Sequence, residues 1–192
     1  MQIENTSRLQ LSLMTLNDSA LLFELDQDER VMHFLNGGNK TTQHEIDTIM
    51  LPRLAQYLNP SKGWGLWKVH ALDCDANDQH GLSGEYLGWV LVRPMYFFTQ
   101  AQPHNLELGW RFKHICWGKG YATEAAKAVM DTVSEPDDVT HVSAVAVEDN
   151  LASIAIMKKL GMTFQHKSIH RDPLGDTEAV FYQKAVQCFL RQ

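Results

Sequence analysis

Cysteine is scarce in this sequence, and its placement excludes two common kinds of site. The 192 residues include three cysteines, Cys74, Cys116 and Cys188. They are odd in number and far apart, and no two have C-x-x-C spacing, so the sequence predicts neither a disulfide framework nor a zinc site. Reduced thiols are typical of cytoplasmic proteins, and we therefore expect a cytoplasmic location.

Long apolar runs and an excess of positive charge are also missing. No run approaches the roughly 18 apolar residues of a membrane span, and the opening MQIENTSRLQLSLM lacks the basic-then-apolar order of a signal peptide. The formal net charge is −6, which does not favour nucleic acid as a partner. The histidines show no metal-ligand spacing. We therefore expect a protein that binds no membrane, no nucleic acid and no metal.

The patterns that are present predict one mixed domain, residues 1–192, because the length and the 44% hydrophobic content are ordinary for a globular protein. Alternating and β-rich runs predict strands at residues 8–14, 63–72, 85–92, 106–112 and 139–147, and two more between 162 and 185. Helical spacing predicts helices over residues 17–35, 41–58, 121–133 and 150–161, the second interrupted by Pro52. This order predicts an α/β fold with helices on both faces of a mixed sheet.

A glycine-rich turn stands directly before one predicted helix, in the stretch CWGKGYATEAAKAVM at residues 116–130. Gly118 and Gly120 can adopt backbone angles that are closed to other residues. Their N–H groups and the first amides of the helix converge on one place, where the helix dipole adds positive charge. Such a place favours phosphate. Lys113 and Lys119 are positioned in the sequence to add charge from the side.

Two familiar nucleotide motifs do not fit this loop. A nucleoside-triphosphate loop needs G-x-x-x-x-G-K followed by Ser or Thr, but Lys119 is followed by Gly120, and position 113 is lysine. A dinucleotide motif needs a third glycine where this chain has Thr123. A plain tight turn between a strand and a helix stays open as the simpler interpretation of the loop by itself.

Three motifs taken together resemble the GNAT superfamily of N-acetyltransferases: LELGWRF, WGKGYATEAA, and NLAS followed by KKLGM. The resemblance extends to the branch of the ribosomal-protein N-terminal acetyltransferases, of the RimJ and RimL type, and it covers nearly the whole chain. It implies a mostly antiparallel sheet in which two central strands splay apart. It also implies acetyl-coenzyme A as the co-substrate.

The resemblance further implies which residues hold the coenzyme. Its pyrophosphate would rest on the loop amides, and its pantetheine arm would enter the gap beside residues 106–112, held largely by backbone groups. The family carries a basic or amide side chain three residues before the first loop glycine, but Ile115 stands there in this chain. The implied coenzyme-binding residues are Trp110, Arg111, Phe112, Cys116, Trp117, Gly118, Lys119, Gly120, Tyr121, Ala122, Asn150 and Ser153.

Glu107 is the predicted catalytic base. Acyl transfer needs a neutral amine, and amines are mostly protonated near pH 7, so a base is useful. Several family members hold a catalytic glutamate on the strand before the loop. Because Leu106 and Leu108 face one side of that strand, Glu107 faces the other and can reach the cleft. A strand glutamate that points into water is the alternative.

The acid that would protonate the departing thiolate is harder to identify. Many family members use a tyrosine seven residues after the asparagine, but this chain has Met157 there. Ser153 is the predicted catalytic substitute, with a bound water or an unprotonated thiolate as alternatives. Ser153 has a structural interpretation too, because the third position of a helix commonly meets free amides.

The amine acceptor stays open between several classes. We expect a protein N-terminal amine, as the resemblance implies. A small amine such as a polyamine, an amino acid or an aminoglycoside is the alternative, and a catalytically silent coenzyme A-binding module is a third. The protein is expected to be a monomer or a homodimer. The aromatic stretch MYFF, residues 95–98, suits a lid, an interface or part of the core.

Overall fold

The computed structural model describes residues 1–72, 81–136 and 138–186, so Cys74 and Cys188 lie outside the described residues. The described strands form one seven-stranded sheet in the order β1-β2-β3-β4-β5-β7-β6. The strands are β1 (Leu9–Leu13), β2 (Gly65–Ala71), β3 (Tyr86–Met95), β4 (Gln102–Phe112), β5 (His141–Ala146), β6 (Thr163–His170) and β7 (Thr177–Ala185).

The pairing of β4 with β5 is the one parallel contact in this sheet, and the other neighbouring strands run antiparallel. The parallel contact spans three residue pairs and ends where Glu107 lies opposite Ser143. Beyond that point β4 continues to Phe112 without a β5 partner among the described residues. The predicted mixed, mostly antiparallel sheet with a splayed central pair is confirmed.

The helices cover both faces of the sheet, as the sequence predicts. They are α1 (Ser19–Leu25), α2 (Glu29–Asn36), the short α3 (Gln43–Glu45), a π turn (Ile46–Met50), α4 (Leu51–Tyr57), α5 (Tyr121–Val133) and α6 (Leu151–Lys159). Along β3, Val90 and Val92 pack with α5 and α6, whereas Trp89 and Leu91 pack with α1 to α4. We call these two sides the α5–α6 face and the α1–α4 face.

Two helix predictions need correction. The helix predicted over residues 17–35 is divided at residues 26–28, because the Asp28 carboxylate accepts from Arg30 N and starts a new helix there. The segment around Pro52 is neither divided nor ended. A π turn precedes the proline, which occupies an early position of α4 where its missing N–H costs little.

The strands predicted at residues 85–92 and 106–112 leave residues 93–105 as a long connection, and this expectation is wrong. β3 runs on to Met95 and β4 begins at Gln102, so the connection spans only residues 96–101. Met95 is buried beside Phe181, and Phe97 and Phe98 pack edge-on against Tyr57 of α4. Of the three roles considered for residues 95–98, the structure supports core packing. Within the described ranges, no helix has the length and apolar character that a membrane crossing requires.

Candidate functional site

The glycine loop, residues 116–122, links a short 3-10 turn (His114–Cys116) to α5. Gly118 has a φ of +73° and Gly120, the N-cap residue of α5, has a φ of +82°. These left-handed angles favour glycine over residues with a Cβ. Because a helix leaves its first N–H groups without intrahelical acceptors, the loop and the start of α5 present donors to a ligand on this side.

A charged clamp from the N-terminal segment holds this loop. Arg8 donates from Nη1 to the Lys119 carbonyl oxygen at 3.1 Å and from Nε to Glu124 Oε2 at 2.7 Å. Thr6 Oγ1 donates to Glu124 Oε1 at 2.5 Å. Burial raises the pKa of Glu124, but the hydrogen bonds from Thr6 and Arg8 outweigh burial and leave it lowered. The carboxylate therefore stays charged and ties α5 to the chain before β1.

Sequence reasoning missed this clamp. Glu124 is visible in the ATEA part of the loop motif, but its partner Arg8 stands 116 positions earlier. The only local signal is a charged residue on an otherwise apolar helix start. Its partner cannot be read from spacing, because the contact forms only when β1 lies beside α5.

A cleft of about 330 Å³ opens beside the loop and continues into a second cavity of about 210 Å³ between β4 and β5. The two cavities share residues from α2, β4 and the start of α6: Phe34, Leu35, Trp110, Arg111, Asn150 and Ser153. The cleft therefore runs from the glycine loop to the place where the two central strands separate. We call this continuous space the central cleft.

The central cleft brings together all but two of the predicted coenzyme-binding residues. Lys119 and Tyr121 are not among its lining residues. The Lys119 carbonyl oxygen instead accepts a hydrogen bond from Arg8. Tyr121 is buried, and the Arg8 guanidinium carbon lies 4.3 Å from its ring centroid. Those that line it are Trp110, Arg111, Phe112, Cys116, Trp117, Gly118, Gly120, Ala122, Asn150 and Ser153.

Side chains as well as backbone shape the middle of the cleft. Trp110 Nε1 donates to Ser153 Oγ at 3.2 Å, so an indole joins β4 to α6. Asn150 Oδ1 accepts from Ser153 N at 3.1 Å and caps α6. Ser153 is thus capped through its amide, while its hydroxyl faces the cleft beside Trp110. The catalytic role of Ser153 stays a prediction.

Arg111 uses its side chain on the opposite face of the sheet. Its Nη1 donates to the buried carboxylate of Asp26, and its guanidinium carbon lies 5.0 Å from the Trp89 ring centroid. Asp26 also accepts from Thr41 Oγ1 at 2.8 Å. Sequence analysis did not identify Asp26, which lies in the break between α1 and α2. This ion pair fixes β4 against the N-terminal helices.

The cations at the cleft differ from those predicted. Lys113 Nζ lies 2.5 Å from Glu24 Oε1 and 3.8 Å from Glu85 Oε2, so its charge is already partnered. The lining residues instead include Arg30 of α2 and Lys159 at the end of α6. Lys159 follows the usual preference for cations in a last helical turn, which is the sequence signal that could have pointed to it.

Glu107 lies on the last residue pair before β4 and β5 separate, next to Leu108 and Gly109 of the cleft lining, but it is not itself among the lining residues. It faces the α1–α4 side, whereas Leu106 and Leu108 pack with α5, as predicted. It does not point into water, since it is 7% exposed. Arg93 Nε donates to its Oε2 at 2.9 Å, and Arg93 Nη2 donates to its Oε1 at 3.1 Å. Its role as a base stays a prediction.

Two further side chains are unsuited to acid, base or nucleophile chemistry. Met157, at the position of the family's tyrosine, is 1% exposed and packs in the core beside α5. Burial raises the pKa of Cys116 to about 11, which keeps it a thiol near pH 7. Among the described residues there is no group of three or more His, Cys, Asp or Glu side chains suited to a metal ion.

Comparison with known proteins adds a family and several similar folds. The family model for the acetyltransferase (GNAT) domain matches residues 8–163 of this chain. The uncharacterised protein YkkB of Bacillus subtilis (strain 168) is 30% identical over 166 residues, which cover 83% of this chain and 84% of that protein.

Two solved structures share the fold across almost their full length. The aminoglycoside acetyltransferase AAC(6')-Ib in complex with coenzyme A has a TM-score of 0.71 at 21% identity, covering 96% of this chain and 98% of that chain. RimL, a ribosomal L7/L12 α-N-protein acetyltransferase in complex with coenzyme A, has a TM-score of 0.71 at 14% identity, covering 98% and 99%. At these identities the likeness concerns the fold alone.

Proposed function

Because the family model spans most of the chain, the protein belongs to the GNAT acetyltransferase family and is an N-acetyltransferase, and we propose that its acceptor is the α-amine of a protein N-terminus. Acetyl-coenzyme A is the acetyl donor in this proposal. The central cleft is the observation that supports this donor, because a loop with two left-handed glycines opens directly into the gap between β4 and β5.

The residues of the cleft fit such a donor. A diphosphate needs amide donors and space for close approach, and Gly118 leaves that space, with no atom within 4 Å of a built Cβ. Lys159 supplies positive charge along the same cleft, whereas Arg30, which also lines it, is paired with Asp28. Acetyl-coenzyme A supplies a thioester, whose acyl group is electrophilic enough for an amine to attack. The gap beyond Glu107 leaves β4 backbone groups for its linear arm.

The proposed catalytic chemistry starts from Glu107. The acceptor amine must lose a proton to become a nucleophile, and a carboxylate one residue from the cleft lining at Leu108 can take that proton directly or through a water. A backbone N–H of the strand around Trp110 donates to the oxygen on which negative charge develops. The sulfur departs as a thiolate, to which Ser153, whose hydroxyl oxygen accepts from the Trp110 indole, donates a hydrogen bond.

The acceptor class rests on the sequence order shared with the RimJ and RimL branch. RimL itself acts on a protein amine, as its name states, and its fold covers 98% of this chain. A small amine is the second candidate, because the fold of an aminoglycoside acetyltransferase matches this chain with the same TM-score of 0.71.

A thiol-release assay with a panel of amines tests the function. We expect release of coenzyme A thiol to rise above hydrolysis with peptides that bear a free N-terminus, and less with aminoglycosides or polyamines. Preference for a small amine would replace the proposed acceptor class. Coenzyme A binding without acceleration by any amine would mean a silent binding module.

Replacement of Glu107 tests its role as the base. We expect Glu107→Gln to lower kcat/KM near pH 7 by about 100-fold or more, which is the usual contribution of a general base, and to leave coenzyme A affinity within about twofold, because the loop is untouched. Steady-state kinetics and calorimetry measure the two effects. Unchanged turnover in Glu107→Gln would remove this residue from the mechanism.

A further inference from the structure

The pair of Glu107 and Arg93 is buried and has two contact points. The Arg93 and Glu107 residues are 8% and 7% exposed, and two hydrogen bonds of 2.9 and 3.1 Å join them. A carboxylate has about four lone-pair sites, so a bidentate arginine occupies two of them. Two sites are left over, and they belong to a side chain whose orientation is fixed.

The surroundings of Arg93 leave little room for another arrangement. Its guanidinium carbon lies 5.2 Å from the Phe98 ring centroid and 5.8 Å from the Tyr57 ring centroid, so aromatic rings from the β3–β4 connection and α4 cover it. Burial by itself lowers the pKa of Arg93, but the charge and the hydrogen bonds of Glu107 more than offset burial and leave the pKa raised. Arg93 is therefore a permanent cation against this carboxylate.

Other ionisable groups face the pair from several elements. Burial raises the pKa of Tyr57 to about 12, and it raises the pKa of Tyr96 with a further contribution from the Glu107 charge, so both stay neutral near pH 7. The remaining charged neighbours are already paired with one another. Arg53 Nη2 donates to both carboxylate oxygens of Asp172, and Arg111 is paired with Asp26. Arg93 is thus the only cation that hydrogen-bonds Glu107 among the described residues.

We propose that Arg93 is a positioning residue that stabilises the negative charge of Glu107 and holds its carboxylate in one orientation beside the inner end of the cleft, which Leu108 and Gly109 line. The inference rests on the proposed function, because it assigns Arg93 a part in the same reaction. Without the cation, a carboxylate in this buried place would bind a proton at a higher pH and lose its capacity as a base. With the cation, two hydrogen bonds hold the carboxylate in one orientation.

Two measurements test the role of Arg93, the first without the reaction and the second through it. In the first, Glu carboxyl carbons are labelled with ¹³C and the Glu107 signal is identified by its loss in Glu107→Gln. No substrate is added. We expect this signal in Arg93→Met to titrate at least about one pH unit above wild type, and in Arg93→Lys, the matched variant that keeps the charge, to titrate within about half a unit of it. An unmoved titration in Arg93→Met overturns the proposal.

The second measurement is the pH profile of kcat/KM with the amine that the panel selects. We expect the acid limb to move to higher pH in Arg93→Met by the same amount as the carboxyl titration, and to stay in place in Arg93→Lys. Because the Lys contact has one point instead of two, kcat should fall several-fold in Arg93→Lys while KM for acetyl-coenzyme A holds. Arg93→Gln replaces Arg93→Met in both measurements if the latter does not fold.

The outcomes separate the two proposals. A variant that titrates at higher pH but keeps the wild-type acid limb overturns the positioning role and leaves the acetyltransferase standing. A general loss of activity with no movement of the limb means that Arg93 is only structural, and also overturns it. Absence of thiol release from the wild-type protein with every amine overturns the proposed acceptor chemistry itself, and the ¹³C titration still reports on the ion pair.

Discussion

The two faces of the sheet are stabilised around the central cleft by different means. On the α5–α6 face the cleft is formed by backbone: left-handed glycines, the start of α5 and the edge of β4 beyond its last pairing with β5. On the α1–α4 face three ion pairs join separate parts of the chain, Arg93 with Glu107, Arg53 with Asp172 and Arg111 with Asp26, and of these residues Arg111 lines the cleft.

This difference matters for what each side can recognise. Backbone amides bind a phosphate whatever side chains surround them, and they allow one shared co-substrate to be bound by many sequences. Ion pairs are directional and are lost when one partner changes. In the proposed mechanism, changes on the face that bears Glu107 therefore alter the chemistry, whereas the backbone side keeps the shared co-substrate.

The largest effect is expected from breaking the backbone side, with Gly120→Val. A β-branched residue is strained at a φ of +82°, and its Cβ would lie 3.4 Å from Arg8 Nη2, within the clamp. We expect coenzyme A to bind about 100-fold more weakly, which corresponds to about 2.8 kcal/mol. Isothermal calorimetry measures the affinity.

Gly84→Val is the matched control for this change. Gly84 has a φ of +72° with no atom within 4 Å of a built Cβ, and it lies in the β2–β3 connection. It should carry a similar backbone strain and bind coenzyme A normally. If Gly120→Val bound as tightly as wild type, the loop would be a turn only and the contrast between the faces would fail.

A smaller effect is expected from breaking one ion pair on the other face, with Arg53→Met. Burial raises the pKa of Asp172, but hydrogen bonds from Leu174 N and Arg53 and the nearby positive charges leave it lowered. A lowered folded-state pKa means stability that is present above the unfolded value and lost as pH falls. We expect Arg53→Met to cost about 1 to 2 kcal/mol at pH 7, and the difference to shrink below about pH 5.

Urea denaturation at several pH values measures this loss, and Arg171→Met is its control. Arg171 lies near Asp176 at 3.6 Å, but the two side chains are 74% and 50% exposed, so this neighbouring pair should contribute little. A difference between Arg53→Met and wild type that is the same at pH 3 and pH 7 would show that the ion pair is not its source.

The smallest effect is expected from Glu124→Gln, which sharpens the comparison because it alters a long-range ion pair that supports the backbone side. The amide keeps the shape but loses the charge that Arg8 and Thr6 hold. We expect coenzyme A affinity to fall about three- to tenfold by calorimetry, or about 0.7 to 1.4 kcal/mol. Glu148→Gln, at an exposed pair with Lys167, should not change it. A loss as large as that of Gly120→Val would mean that the clamp, rather than the glycine geometry, forms the loop.

The parts of the fold that were predicted correctly are those with local signals. Gly118 and Gly120 by themselves predict a left-handed turn. The alternation of Leu106, Glu107 and Leu108 predicts that the carboxylate lies on the face opposite to the two leucines. The predicted connection after residue 92 was wrong because Pro94 and the aromatic cluster looked like a loop. Pairing with β4 extended β3 through Pro94 to Met95, with a register shift at residues 94 and 95.

The sequence by itself determined the order of helices and strands, the glycine loop and the class of chemistry, since each of these depends on residues that are neighbours along the chain. Only the tertiary structure decided that Glu107 faces Arg93, that Arg111 turns away to Asp26 and that Arg8 reaches Glu124 across 116 positions. The reason is that an ion pair depends on distance in space, and that distance is set by strand register and helix packing, which no short stretch of sequence contains.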